Sequence, residues 1–213
     1  MSDDSSKVLI LACGALAHDI LAVLRANRWS HVAVQCLPAD LHNRPDQIPS
    51  RVRAAITANR DKFARIFVAY ADCGTAGELD RILREEGVER IPGAHCYEFF
   101  AGTKLFEALA DEEPGTFYLT DFLARHFDRV VIRGLGLDRN PELLPLYFGQ
   151  YRRVVYLSQS DAPELLVLAT DAATRLDLEF EHRHVGHDNI ANHLSRGIGL
   201  GRAHGQTDRR LLA

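Results

Sequence analysis

Short runs of consecutive apolar residues alternate with amphipathic stretches along most of the chain. Residues 7–12 (KVLILA), 31–36 (HVAVQC), 65–71 (RIFVAYA), 88–92 (VERIP) and 153–157 (RVVYL) each read as a strand. Continuous rather than alternating apolarity is the form of a parallel strand covered on both faces. Between these runs the apolar spacing turns helical. Leu16, Ile20, Val23 and Leu24 form one stripe over 15–28, and Ile48, Val52, Ala55 and Ile56 another over 47–59. A helix over 75–86 stops at Gly87, a favourable C-cap, and another is expected over 96–109. Residues 116–127 read as helix, and 129–133 as strand or helix end. Asn140 and Pro141 open a helix reaching about 149. Asp161 is the expected N-cap of a helix to about 176, and 178–184 alternates as a polar edge strand.

This pattern predicts an α/β fold: a mostly parallel sheet with helices on both faces, assembled from strand–Cys/His turn–helix units. The unit recurs at Val8, Ile66 and Val154, so the single domain expected over 1–185 can be read as two pseudo-repeated lobes. Residues 186–213 are rich in Gly, His, Arg and Asn and read as a flexible C-terminal tail. His182, His184, His187, His193 and His204 are accordingly expected to be solvated.

Composition narrows the function. Apolar residues make up 46% of the chain, enough for a substantial core, and the net charge of −4 gives no attraction to nucleic acid or anionic membrane. The first seven residues are polar and acidic, unlike a secretory leader, and the first apolar run is too short to span a bilayer. A cytoplasmic, reducing setting is expected, in which the four cysteines serve as ligands or reactive thiols rather than disulfides.

The chemistry gathers at turns. Cys13 and Gly14 follow the first strand, His42 lies past the second, and Asp72, Cys73 and Gly74 follow the third. His95 and Cys96 lie past the fourth. Parallel strands point their carboxyl ends at one edge, so these turns should converge. Cys13, Cys73 and Cys96 form a candidate metal set, with His42 or His95 as a fourth ligand. Thiolates suit zinc or an iron–sulfur cluster. Gly14 and Gly74 would let backbone approach a cofactor, Tyr97 and Glu98 would line the pocket, and Asp72, His42 or His95 would move protons.

Plainer fates stand beside each reading. Free cysteine packs well as a small buried hydrophobe, and Cys36, inside an apolar strand, is assigned to the core. Asp72 beside Gly74 and Thr75 can be a helix N-cap, His42 a turn histidine, and Asp121 with Arg125 an i, i+4 salt bridge. Gly134, Leu135 and Gly136 do not make a dinucleotide fingerprint, lacking the third glycine.

Several motifs in order carry a resemblance: ACGAL from Ala12, LHN from Leu41, YADCGT from Tyr70, HCYE from His95, PGTFYLTDF from Pro114 and GLGLD from Gly134. Together they resemble a prokaryotic family known as domain of unknown function 1638, over Val8 to about Leu178. Members of that family are encoded beside corrinoid-dependent methyltransferases and their activators. The resemblance therefore implies one-carbon metabolism, with a corrinoid protein or methyltransferase as partner and a small-molecule substrate. Three function classes remain: a metal-dependent enzyme of methyl transfer or an iron–sulfur lyase; a metal or cofactor carrier serving a methyltransferase; and an α/β domain with buried cysteines.

Overall fold

The computed structural model describes residues 7–200. The remaining residues, with His204 and the end of the expected tail among them, lie outside the described residues. The expected α/β architecture with parallel strands is present, built as two wholly parallel sheets. The first has the order β2 (Val32–Leu37), β1 (Val8–Cys13), β3 (Arg65–Ala69), β4 (Glu89–Arg90). The second has the order β5 (Thr116–Thr120), β6 (Arg153–Ser158), β7 (Glu179–His184). Both central strands, β1 and β6, are buried at all six positions.

Helices α1 (Ala17–Ala26), α2 (Ile48–Asn59) and α3 (Glu78–Glu86) cross between the strands of the first sheet. Gly87 ends α3 in the left-handed region at φ 66°, as its C-cap role requires. The helix expected over 96–109 is two helices, α4 (Cys96–Ala101) and α5 (Thr103–Glu112). Gly102 at φ 77° breaks them, and a side chain there would collide with Asn189. After α5 the chain starts a new sheet instead of extending the first, which is why one expected sheet became two.

Three further expectations are corrected. Residues 116–120 form strand β5, not helix; Thr-Phe-Tyr-Leu-Thr carries the β-branched and aromatic residues that suit a strand, and it pairs with β6. Helix α6 is confined to Asp121–Arg125, and a π-helical turn covers Asp128–Ile132. Asp161 does not cap α8 (Pro163–Leu176), whose N-cap position is Ala162. Short α7 (Leu144–Phe148) precedes β6.

Within the described residues the expected tail is folded. Residues of α9 (Asp188–Gly197) pack back onto α1 and α4, beside the first sheet. Ile190, Leu194 and Ile198 recur every fourth position and are all buried; each such side chain contributes about 2 kcal/mol of transfer free energy. His187 and Asn189 tie the helix down, at 3.0 Å from Asp19 Oδ1 and 3.0 Å from the Phe100 carbonyl respectively. Nor are the neighbouring histidines merely solvated. His182 and His184 both contact the buried Ser158 hydroxyl, at 2.9 and 3.0 Å, and His193 packs on Phe99. No described helix is long and apolar enough to cross a membrane.

Candidate metal centre

The carboxyl ends of β1, β2, β3 and β4 share one edge of the first sheet, and the four turns that follow them interlock. A 3₁₀ turn over Gly14–Leu16 follows β1. A side chain on Gly14 would come within 3.0 Å of the Leu37 carbonyl, so its glycine lets the β1 turn lie against the β2 turn. That contact brings His42 to Cys13: His42 Nδ1 stands 3.6 Å from Cys13 Sγ and 3.2 Å from the Ala39 carbonyl. Cys13 Sγ also accepts from the Ala15 N–H at 3.4 Å.

The β3 and β4 turns are zipped by backbone. Asp72 N–H donates to the Gly93 carbonyl and Cys73 N–H to the Ala94 carbonyl, at 3.1 and 2.9 Å. Cys73 is held at φ 50° and Gly74 at φ 83°. A left-handed cysteine costs on the order of 1–2 kcal/mol, which the surrounding bonds must offset. The outcome is that Cys73 Sγ and Cys96 Sγ stand 3.3 Å apart.

One donor atom each from His42, Cys73 and Cys96 lies within 4.8 Å of the other two. Cys13 joins this group through His42. The sequence placed Cys13, Cys73 and Cys96 first and His42 as an optional fourth; in the structure His42 sits inside the group and links Cys13 to it. His95 is at the cavity wall instead.

His42, Cys73 and Cys96 are each shifted by their neighbours. The Cys96 thiol donates toward Cys73 and, with His42 beside it, holds the Cys73 thiol below its ordinary range despite burial. The hydrogen bond to Cys73, burial and the negative charge of Cys73 push Cys96 well up. Burial pulls His42 down, yet hydrogen bonds to Cys13 and Cys73 and their charge push it up to about 11. Without a metal the site is therefore an imidazolium facing a thiolate, and a cation entering it displaces protons.

The donor chemistry fits a soft ion. Two sulfurs on one tetrahedral zinc are about 3.7 Å apart, given Zn–S bonds of about 2.3 Å. The Cys73–Cys96 separation of 3.3 Å needs only small adjustment. In a four-iron cluster each thiolate takes a different iron, which spreads the sulfurs; the closeness of Cys73 and Cys96 favours two ligands on one metal atom.

These donors form one end of a cavity of about 370 Å³ between the carboxyl edges of the two sheets. Leu16, Tyr97, Phe100, Phe122, Leu123 and Val130 supply most of its apolar wall. Sequence reasoning missed the second-sheet contribution, because Phe122 and Leu123 were read as part of a long helix. Their signal was the strand–turn–helix pattern of Thr120 and Asp121, the same unit as at Cys13 and Cys73. Thr120 caps α6, accepting from Leu123 N–H at 3.4 Å.

Other expected site residues lie elsewhere. Asp72 organises its own turn. Its carboxylate accepts from Thr75 Oγ1, Gly77 N–H and Ala76 N–H at 2.7, 2.9 and 3.2 Å. Despite some desolvation, these bonds and Arg90 hold its carboxyl below the usual range, the wrong direction for a base near neutrality. Glu98 accepts from Thr103 Oγ1 at 2.7 Å and folds over Gly93 rather than into the cavity. Gly74 and Tyr97 line the cavity, whereas Gly14, in the β1 turn, faces the Leu37 carbonyl. Asp121 pairs not with Arg125 but with Tyr156 Oη and the Gln159 and Ser160 N–H groups, at 2.8, 3.0 and 3.0 Å. Cys36 is exposed, not core, because β2 is an edge strand with an open outer face.

A family model described as "Protein of unknown function (DUF1638)" matches residues 36–194, well over half of the chain. Neither the curated proteins nor the solved structures contain a match.

Proposed function

The chain belongs to the DUF1638 family, and on that footing we propose that Cys13, His42, Cys73 and Cys96 hold one soft metal ion, zinc foremost, facing a small-molecule cavity. The observation that carries this reading is the cluster of His42, Cys73 and Cys96 donor atoms within 4.8 Å. A bound zinc would supply Lewis acidity or hold a substrate thiol as its thiolate. The apolar wall excludes water and selects a small molecule with one soft or polar head and a short apolar body. His95, at the wall and outside the ligand set, is placed to move a proton at the substrate.

Methyl transfer in one-carbon metabolism is the reaction class we favour, supported by the family likeness. A cavity of about 370 Å³ is too small for a whole corrinoid, so a corrinoid would arrive on a partner protein or methyltransferase docked at the cavity mouth. An iron–sulfur lyase is the nearest alternative enzyme.

One observation supports a second reading, a non-catalytic metal carrier or accessory protein. The Asp72 carboxylate is engaged by its own turn, which leaves the cavity without a carboxylate base. His95→Gln separates the two. An enzyme loses turnover and keeps its metal; a carrier keeps both metal and delivery.

The decisive measurement is metal analysis and a visible spectrum of anaerobically purified protein. A colourless protein with about one zinc per chain is expected. Brown colour with broad absorbance means a cluster. Protein that takes up neither zinc nor iron on reconstitution ends the metal reading.

A further inference from the structure

Tyr70 lies between β3 and Cys73 and is wholly buried. Its hydroxyl has no hydrogen-bond partner among the described residues. The ring stacks on His42, with centroids 6.3 Å apart and planes at 16°. Cys13 is within reach of the hydroxyl as a hydrogen-bonding partner and acts on it by charge, while Cys96 and Cys73 act on it by charge alone. A buried hydroxyl without a well-formed hydrogen bond is costly, and Cys13 is the partner at hand.

A metal-bound cysteine sulfur carries negative charge and accepts hydrogen bonds strongly. We propose that Tyr70 is a positioning residue of the metal centre, its hydroxyl donating to Cys13 Sγ in the loaded protein. This deepens the metal reading and rests on it. The fold holds this donor beside Cys13, so fixing the sulfur on an ion also settles a buried hydroxyl. Tyr70 touches a ligand rather than substrate; its role is to orient Cys13 and tune its donor strength.

The test is Tyr70→Phe, compared with wild type, Cys13→Ser and the double variant. Zinc affinity is measured by competition with a chromophoric chelator, the cobalt-substituted spectrum is recorded, and thermal unfolding is followed without metal. Tyr70→Phe is expected to bind zinc about 10- to 100-fold more weakly. Its sulfur-to-cobalt charge-transfer band should move to lower energy. Metal-free Tyr70→Phe should unfold at the wild-type temperature or higher, since an unsatisfied hydroxyl has been removed. On a Cys13→Ser background Tyr70→Phe should cause no further loss. Unchanged affinity and spectrum in Tyr70→Phe, or full additivity with Cys13→Ser, overturns the assignment while the metal centre stands. A wild type that binds neither zinc nor cobalt overturns the metal centre itself, and the assignment with it.

Discussion

The sulfurs of Cys73 and Cys96 stand 3.3 Å apart with no bond between them. The backbone pairing of their turns, not a covalent link, sets this separation. Hydrogen peroxide acting on the metal-free protein should take two electrons and two protons from the pair, giving a disulfide and water. Peptide mapping should find the Cys73–Cys96 link. Zinc uptake should fall to background until dithiothreitol restores it, and prior zinc loading should slow the oxidation. Oxidised protein that takes up zinc normally would show that these sulfurs are not ligands.

Leu123 lies on the cavity wall, contributed by the second sheet, away from the ligand cluster. Leu123→Trp should fill much of the cavity while leaving metal content at the wild-type level. A small-molecule enzyme should then lose at least tenfold in kcat/KM, about 1.4 kcal/mol of transition-state binding. A carrier that hands over its ion at the surface should be unaffected. Steady-state kinetics paired with metal analysis reads both.

His187 Nε2 contacts the buried Asp19 carboxylate at 3.0 Å. That hydrogen bond lifts its pKa above the ordinary 6.5, against the opposing effect of burial. The stabilisation is fully present below the unfolded value and is lost as pH rises through the higher folded value. Wild type should therefore exceed His187→Gln in stability by about 1 kcal/mol near pH 5.5. The gap should narrow on the alkaline side of neutrality. Urea unfolding of both proteins across that range checks the sign.

Gly197, in the last turn of α9, lies against the Phe67 ring, and a β-carbon there would come within 2.4 Å of it. Phe67 is itself buried, so the ring has little room to move. Gly197→Ala should cost about 1–3 kcal/mol as overpacking. An undocked tail would accept alanine without loss. Denaturant midpoints decide between the two.

Much of the site was legible because parallel topology sends every strand's carboxyl end to the same edge. Cys13, Cys73 and Cys96, far apart in sequence, could be sent to one edge by that rule; the structure brings Cys73 and Cys96 together with His42 and sets Cys13 against His42. His42 was harder to weigh, since its place depends on how closely the β1 and β2 turns approach at Gly14. The break between the sheets was hidden because a glycine such as Gly102 reads as a helix defect as easily as a boundary. Strand β5 was hidden because Thr-Phe-Tyr-Leu-Thr runs straight into the helical residues of α6. Helix α9 had its signal in Ile190, Leu194 and Ile198, masked by the polar and glycine-rich residues between them. Asp72 was ambiguous by nature: a carboxylate after a strand can serve a substrate or its own turn, and only the Thr75, Ala76 and Gly77 donors tell which.

The 168-residue separation of Asp19 and His187 imposes an order on biosynthesis. A nascent chain emerging from the ribosome completes the strands of its first sheet long before α9 exists to cover Phe67 and Phe99. Until then that surface has no native lid, and the growing polypeptide is open to misassociation there. Contacts this remote also slow the search for the native topology. Chaperone dependence during translation, and insolubility of chains cut before residue 188, are the outcomes expected of a protein in which α9 seals the first sheet.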